Sequence, residues 1–254
     1  MAENVLRYKV EDGIAYFTIN REEKRNSINA EVIKFFMKYL DTAEKDVSVR
    51  VLLITGAGDR AFCSGADLGS ATDSSDSAKE YAALIKRLAS YPKPTVARVN
   101  GYCLAGGMGF MLACDIVIAI ETAKFGTPEV NVGLFPMMIG ALIFRNVMRK
   151  KAMEMVLLGD RMTAREAMEM GLVTRVVPAA HLDEEIKGVL NILSKKSPIG
   201  MKMGKEAFYA MADMPFEKAI DYLSEKIMEV AATEDAAEGI TAYMEKREPV
   251  YKGR

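Results

Sequence analysis

The chain has 254 residues, half of them apolar, and its 34 Lys and Arg nearly balance its 35 Asp and Glu. A chain of this length can bury a sizeable core in one large domain. The formal net charge is close to zero, and the sequence has no basic stripe of the kind that nucleic acids require. We therefore expect no nucleic-acid partner.

The N-terminal segment 1–13 has neither the apolar core nor the cleavage site of a secretory signal. No apolar run in the chain reaches the length of a membrane span. We therefore expect a cytoplasmic protein that does not bind a membrane. The three cysteines lie in apolar segments and are predicted to be reduced thiols, not disulfides or metal ligands.

The first third of the chain predicts alternating strands and helices. Residues 5–10 and 14–20 alternate apolar and polar side chains around a hairpin turn at Glu11-Asp12-Gly13. Asn29 is placed to cap a helix that carries apolar residues at helical spacing, and a continuous apolar strand follows over residues 49–55. This alternation predicts an α/β domain. A polar loop over 69–77 and a helix over 78–88 come next.

Small residues mark the end of the next strand, which begins at Thr95. The chain breaks at Asn100-Gly101, passes through Ala105-Gly106-Gly107 and continues as a predicted buried helix from Met108 to Asp115. Free N–H groups at such a turn suit a phosphate, a carboxylate, or a carbonyl oxygen that gains negative charge. Close packing of a helix on a sheet is the structural alternative. The chain has no GxGxxG and no Walker motif, which argues against a nucleotide site at this turn.

A second small-residue turn follows the strand over 49–55. Gly65-Ala66 lies in the segment FCSGADL and again exposes backbone beside a buried strand. Two such turns could each supply one N–H group to a single oxygen. That is the arrangement of an oxyanion hole.

The second half of the chain becomes mainly helical. A strand over 116–120, a loop over 125–136 and an apolar helix over 137–147 are predicted first. Thr163 and Glu166 form a capping box, and a strand follows over 173–177. Four further helices are predicted over 182–193, 198–211, 216–229 and 236–246. We place a boundary at residue 197, between a core segment, 1–196, and a helical segment, 197–254.

Four motifs together resemble the crotonase superfamily, the enoyl-CoA hydratase/isomerase family. They are FCSGADL, VNGYCLAGGMGFMLACDI, AKFGTPEVNVGLFP and AREAMEMGLVTRVVP, and they occur in the family's order and spacing. The resemblance runs from about Val5 to the C-terminus. It implies an α/β fold of the ClpP/crotonase type, a spiral of β-β-α units, in which 1–196 is the catalytic core and 197–254 a trimerisation segment. Trimers of this family often pair into hexamers.

The resemblance also implies the chemistry. The substrate would be an acyl-CoA thioester, as in fatty acid metabolism, with coenzyme A as part of the substrate and no permanently bound cofactor. The N–H groups of Ala66 and Gly106 would form the oxyanion hole, and Glu129 would be the acid/base group. The implied acyl pocket contains Met108, Gly109, Pro136 and Met137. The implied CoA contacts are Lys24, Arg25, Ser64, Ala66, Asp67 and Leu68, with Tyr243 and Lys246 reaching the CoA of a neighbouring subunit.

The sequence departs from the hydratase pattern at two places. Hydratases of the family carry a second glutamate three residues after the oxyanion glycine, where this chain has Gly109. The glycine-rich turn near the attacking water is replaced by the bulky apolar residues 137–139. A single carboxylate in a dry pocket favours double-bond isomerisation. Hydration with one glutamate, or a non-catalytic acyl-CoA-binding role, stays open.

Other polar residues have weaker claims on a catalytic role. Asp73, Asp76 and Glu80 follow the oxyanion turn and could replace the missing carboxylate, although solvated positions are favoured for all three. Asp115 ends an apolar helix and is predicted to be structural. His181, the one histidine, lies in a polar turn and is predicted to be on the surface. This position argues against Ser/His or Cys/His catalysis.

Overall fold

The computed structural model describes residues 5–67 and 75–254, and this part of the chain contains ten strands and ten α-helices. The strands are β1 Leu6–Glu11, β2 Ile14–Ile19, β3 Val51–Gly56, β4 Ala61–Cys63, β5 Thr95–Val99, β6 Tyr102–Leu104, β7 Ile116–Ile120, β8 Lys124–Gly126, β9 Met162–Thr163 and β10 Arg175–Val177. The helices are α1 Ala30–Lys45, α2 Ser75–Ala89, α3 Gly106–Leu112, α4 Met137–Asn146, α5 Arg149–Leu158, α6 Ala164–Glu169, α7 Leu182–Ser194, α8 Pro198–Met211, α9 Phe216–Ala231 and α10 Glu234–Glu245.

The larger sheet has six strands in the order β1-β2-β3-β5-β7-β10. All neighbours pair in parallel except β1, which forms an antiparallel hairpin with β2 at one edge. Asp12 and Gly13 make the hairpin turn with positive φ angles of 50° and 76°, as the turns that match strand twist require. The four residues Val51–Ile54 of β3 are buried, which explains why a central parallel strand is continuously apolar and does not alternate.

The smaller sheet has four strands in the order β4-β6-β8-β9. Three times in succession the chain leaves a strand of the larger sheet and enters one of the smaller sheet: β3 to β4, β5 to β6 and β7 to β8. A helix follows each pair: α2, α3 and, after a short 3₁₀ turn, α4. The predicted spiral of β-β-α units is therefore confirmed.

An aromatic stack connects the larger sheet to α3. The ring of Phe36 lies 5.3 Å from that of Phe17 on β2 and 5.0 Å from that of Phe110 on α3. All three side chains are fully buried, and stacked aromatic pairs add stability beyond the area they bury. Phe36 is held on α1, whose N-terminus is capped by Asn29 accepting a hydrogen bond from Val32 N at 2.9 Å, as the sequence predicted.

Several elements differ from the sequence predictions. α3 begins at Gly106, two residues earlier than predicted, and residues 128–132 form a 3₁₀ helix inside the predicted loop. Helix α5 was not predicted, because its sequence RKKAMEMVLL opens with basic residues that a helix N-terminus disfavours. Helix α2 begins at Ser75, and the remainder of the predicted loop, 69–74, lies outside the described residues.

The C-terminal helices are attached to the core by polar contacts. Lys205 on α8 pairs with Asp115 and donates a hydrogen bond to the carbonyl of Lys93. Buried Asp235 accepts hydrogen bonds from Ser197 Oγ at 2.7 Å and from the N–H of Lys252 at 2.7 Å. The chain end is thereby held against α10. Within the described ranges, no helix has the length and apolar character needed to cross a membrane.

Candidate functional site

The two small-residue turns meet at the start of α3. Gly65 has a φ of 96°, which favours glycine. A Cβ atom placed on Gly65 would lie 2.7 Å from Ala105 Cβ and 3.3 Å from the backbone N of Gly106. Glycine at this position therefore permits close contact between the turn at 65–66 and the start of α3, the two segments that carry the N–H groups of Ala66 and Gly106.

Two further backbone contacts fix the turn that precedes α3. A Cβ atom on Gly107 would lie 2.3 Å from the carbonyl oxygen of Cys63, so α3 begins directly against the end of β4. Ala105 adopts φ 49° and ψ −130°, a conformation that L-residues rarely adopt. Its N–H donates to the carbonyl of Gly126 at 2.9 Å, which ties the turn to β8. The neighbouring strands therefore hold the turn in its unusual conformation.

The N–H groups of Ala66 and Gly106 donate no hydrogen bond to any described residue. The bridge between Ala66 and Ile28 uses the N–H groups of Ile28 and Asp67 and leaves that of Ala66 free. Gly106 is the first residue of α3, where N–H groups have no intrahelical partner. Two preorganised donors of this kind can stabilise an oxygen that becomes negative during a reaction.

Glu129 is carried to the same region by β8. It lies in the 3₁₀ helix 128–132, three residues after Gly126, whose carbonyl holds the turn at Ala105. Its Oε2 atom is buried and has no hydrogen-bond partner among the described residues. Loss of solvent raises the pKa of the Glu129 carboxyl above its usual value. A half-buried carboxylate with a free oxygen and a raised pKa can accept a proton and return it.

Tyr81, from α2, occupies the space in front of Gly109. A Cβ atom on Gly109 would lie 2.1 Å from Tyr81 Oη and 2.8 Å from Ile139 Cγ2. The Tyr81 hydroxyl donates to the carbonyl of Gly106 at 2.5 Å. Burial raises the pKa of Tyr81 well above its usual value, with smaller contributions from Cys63, Cys103 and Glu129. The group therefore remains a neutral phenol at physiological pH.

The predicted pocket residues lie at different depths. Met108 is fully buried within the core, and Pro136 is also buried. Met137 is 74% exposed at the start of α4, whereas Ile139, two residues later, is buried and faces Gly109. Among the bulky apolar residues 137–139 that we expected to keep the pocket dry, Ile139 therefore lies next to Gly109.

The predicted CoA contacts of the N-terminal half lie in two segments that pair with each other. Ser64 N donates to the carbonyl of Arg25 at 3.1 Å, and the side chains of Lys24 and Arg25 are exposed. Asp67 is engaged by Arg21 at 2.7 Å, with both side chains almost buried. Leu68, also predicted here, lies outside the described residues.

The two predicted CoA contacts near the C-terminus lie apart from these segments. Tyr243 is 86% exposed on α10, and Lys246 follows the end of that helix with a φ of 55°. Helix α10 packs on α8 and α9. Both side chains therefore lie on the C-terminal helical segment.

The structure does not support Asp76 or Glu80 as a replacement for the missing second carboxylate. Asp76 and Glu80 are exposed on α2, and Asp76 faces Lys79 at 3.6 Å. Asp73 lies outside the described residues. Asp115 accepts hydrogen bonds from the N–H and hydroxyl of Thr95, which confirms its structural role.

The remaining polar candidates agree with the predictions. His181 is exposed and lies 3.5 Å from Glu184. All three cysteines are free, and burial raises the pKa of the Cys63 thiol to about 12 and those of the other two as well. Across residues 5–67 and 75–254, no cluster of His, Cys, Asp and Glu has the makings of a metal site.

Sequence reasoning missed two residues of this region, Tyr81 and Arg21. Each acts through a partner that is distant in the chain: Tyr81 contacts a residue 25 positions away, and Arg21 pairs with one 46 positions away. Their own neighbourhoods resemble an ordinary amphipathic helix and a polar loop. No local signal in the sequence marked them.

Comparison with known proteins gives a consistent family. The family model described as enoyl-CoA hydratase/isomerase matches residues 9–254. The chain is 34% identical over 250 residues to the 2,3-dehydroadipyl-CoA hydratase of Escherichia coli K12, with 95% of this chain and 96% of the relative covered. It is 32% identical over 250 residues to the short-chain-enoyl-CoA hydratase of Clostridium acetobutylicum, with 96% and 95% covered.

Solved structures agree with the sequence relatives. An enoyl-CoA hydratase from Bacillus anthracis superposes with a TM-score of 0.93 at 29% identity, covering 98% of this chain and all of that one. The human enoyl-CoA hydratase domain-containing protein 3 superposes with a TM-score of 0.92 at 31% identity, covering 97% of this chain and all of that one. With the fold, the match to the family model and relatives over almost the whole length in agreement, the chain belongs to the enoyl-CoA hydratase/isomerase family, whose enzymes act on acyl-CoA thioesters.

Proposed function

We propose that this enzyme moves the double bond of an unsaturated acyl-CoA, with Glu129 as its single proton carrier. One observation carries the proposal. Glu129 has a half-buried carboxylate with a free oxygen and interacts electrostatically with Tyr81, whose hydroxyl donates to the carbonyl of Gly106, while Gly109, three residues after Gly106, has no side chain. One base beside an oxyanion hole suits a proton shuttle between two carbons of one substrate.

The residues support a balanced sequence of steps. The thioester carbonyl oxygen accepts hydrogen bonds from the N–H groups of Ala66 and Gly106. Glu129 removes a proton from C2 of a 3-enoyl-CoA, and the electron pair of the broken C–H bond moves onto the carbonyl oxygen to give a dienolate. Glu129 then returns the proton to C4 as the carbonyl re-forms, which leaves a 2-enoyl-CoA and regenerates the carboxylate.

Hydration of a 2-enoyl-CoA is the second candidate, favoured by the printed names of the relatives, which include hydratases. In that reaction Glu129 would activate water and then protonate C2. Without a second acid, we expect hydration to be slower by about 10²–10⁴, the contribution of one general acid/base group. A binding protein without catalysis would have no need for two free donors and a half-buried carboxylate with a raised pKa.

We also propose that the CoA moiety lies along the paired segments 24–28 and 64–67. Lys24 and Arg25 are exposed cations at one end of this pair, and such cations suit phosphate groups. The ion pair of Arg21 with Asp67 holds the two segments together. In this arrangement Asp67 stabilises the binding surface through Arg21.

The test is turnover of crotonyl-CoA and of 3-enoyl-CoAs of several chain lengths in D₂O, followed by mass spectrometry. We expect a shifted double bond with deuterium incorporated and no added water. Gain of one water as the main reaction would support the hydratase alternative instead. Binding of the esters without any conversion would contradict both enzymatic proposals.

Oligomerisation through the C-terminal segment, 197–254, is a separate proposal. Large apolar side chains on α9 and α10 are more than half exposed, and they are Phe216, Ile220, Ile227, Met228, Ile240, Tyr243 and Met244. Such a patch on an isolated chain marks a protein interface. We expect sedimentation to give three or six times the mass of one chain, and Ile227→Asp to lower it. A single-chain mass at all concentrations would contradict the proposal; Glu225→Ala, an exposed change on α9, is the control.

A further inference from the structure

A neighbouring side chain fills the space next to Gly109. The space that a side chain there would enter is taken by Tyr81 Oη at 2.1 Å, Ile139 Cγ2 at 2.8 Å and Ile85 Cδ1 at 3.3 Å from the place of its Cβ atom. Gly109 lies three residues after Gly106 on α3, and residues at this spacing share one face of a helix. A side chain at position 109 would therefore lie on the same face of α3 as Gly106.

Tyr81 is held firmly in this place. Its side chain is 8% exposed, and its ring packs on Phe110 with centroids 5.8 Å apart. Its hydroxyl donates to the carbonyl of Gly106 at 2.5 Å. Moving the hydroxyl away would leave a buried phenol without its hydrogen bond, which is unfavourable. The tyrosine therefore does not give way freely to a side chain at position 109.

We propose that Tyr81 is a specificity-determining residue: its phenol occupies the place of a second acid and of the water that such an acid would hold. The inference rests on the proposed function and deepens it, because it gives a physical reason why only Glu129 can carry protons here. Gly109 and Tyr81 then form a pair of complementary size. Replacing Tyr81 by a smaller residue and Gly109 by a larger acidic one should therefore change which reaction is catalysed.

The first test measures the contact between Tyr81 and Gly109 through thermal stability and needs no substrate. Gly109→Ala adds the Cβ atom that would collide with Tyr81 Oη, and Tyr81→Phe removes that oxygen and leaves the ring. We expect Gly109→Ala to lower the melting temperature of the parent and to lower it clearly less in the Tyr81→Phe background. Equal effects in the two backgrounds would overturn the proposed pairing.

The second test exchanges the two sizes, using crotonyl-CoA for hydration and a 3-enoyl-CoA for isomerisation. The double variant Tyr81→Ala/Gly109→Glu removes the phenol and supplies a carboxylate at position 109. We expect its ratio of hydration to isomerisation to rise by about 10² or more over that of the parent. We expect neither single change to achieve this, since one leaves the collision and the other leaves the acid absent.

The outcomes separate this inference from the proposed function. A folded double variant whose product ratio equals that of the parent would overturn the specificity role while leaving the isomerase assignment intact. A parent that converts no CoA ester would count against the proposed function. In that case the melting-temperature coupling still decides the pairing, and hydration by the double variant is judged against the single variants Tyr81→Ala and Gly109→Glu, where no gain over either would overturn the specificity role.

Discussion

Replacing Glu129 by glutamine is expected to lower kcat by about 10²–10⁴, the contribution of one general acid/base group, while acyl-CoA binding is retained. Glutamine keeps the shape of the side chain but cannot take up a proton. The Oε2 atom of Glu129 is free to accept a proton, and Gly109 supplies no second carboxylate. Steady-state kinetics on a 3-enoyl-CoA, with binding measured by calorimetry, give the comparison.

Exposed Glu121→Gln is the matched control and should leave both kcat and binding unchanged. Activity of the Glu129→Gln variant within a few-fold of the parent would show that another group carries the proton.

The pH profile of the parent offers a second readout of the same carboxylate. Burial raises the pKa of Glu129, and the base must be ionised to remove a proton. We therefore expect kcat/KM to fall on the acid side at a pH above the ordinary pKa of a glutamate, about 4.3. The same shift means that the folded state holds the proton more tightly than the unfolded state. Glu129 therefore lowers the free energy of unfolding as the pH rises through its raised pKa.

The second large effect is expected from Gly107→Ala. The added Cβ atom would lie 2.3 Å from the carbonyl oxygen of Cys63, a backbone atom that cannot turn away. The start of α3 must then move from β4, which separates the N–H of Gly106 from that of Ala66. We expect kcat to fall by about 10²–10³, as for the loss of one oxyanion donor, and stability to fall by about 1–3 kcal/mol through overpacking.

Gly188→Ala provides the control for that variant. Gly188 lies within α7, and a Cβ atom there would meet no atom within 4 Å. The exchange should stabilise the protein by about 0.5–1 kcal/mol, the difference in helix propensity, with kcat unchanged. Equal stability and activity losses in the two variants would show that general sensitivity to glycine replacement, and not the contact with Cys63, is responsible.

Local patterns predicted the elements whose determinants lie close together in the chain. The cap at Asn29, the capping box at Thr163 and the strand over 116–120 all have their signals within a few residues, and the structure contains each of them. The two small-residue turns were recognised in the same way. Their pattern alone suggested that they could serve one oxygen, and the spiral fold that the resemblance implied gave a way for them to come together.

Contacts across the fold could not be predicted from the sequence. Tyr81 lies on a helix whose apolar spacing only indicates a buried face, and its meeting with Gly109 depends on how α2 packs on α3. The glycine at position 109 therefore suggested a missing acid but gave no hint of the phenol that fills its place. The burial of Glu129 is likewise a product of packing, since its sequence neighbours describe only a loop.

The proposed oxyanion turns at Ala66 and Gly106 have a consequence for how such an enzyme can diversify. Almost any residue type brings the same N–H group, so mutation seldom deletes the donors as long as the close-packed glycines beside them persist. Glu129, by contrast, is a single side chain that one nucleotide change in its codon can remove. A lineage built on this scaffold can thus exchange its proton-moving side chains one at a time, while the backbone donors proposed to bind the thioester oxygen are inherited unchanged.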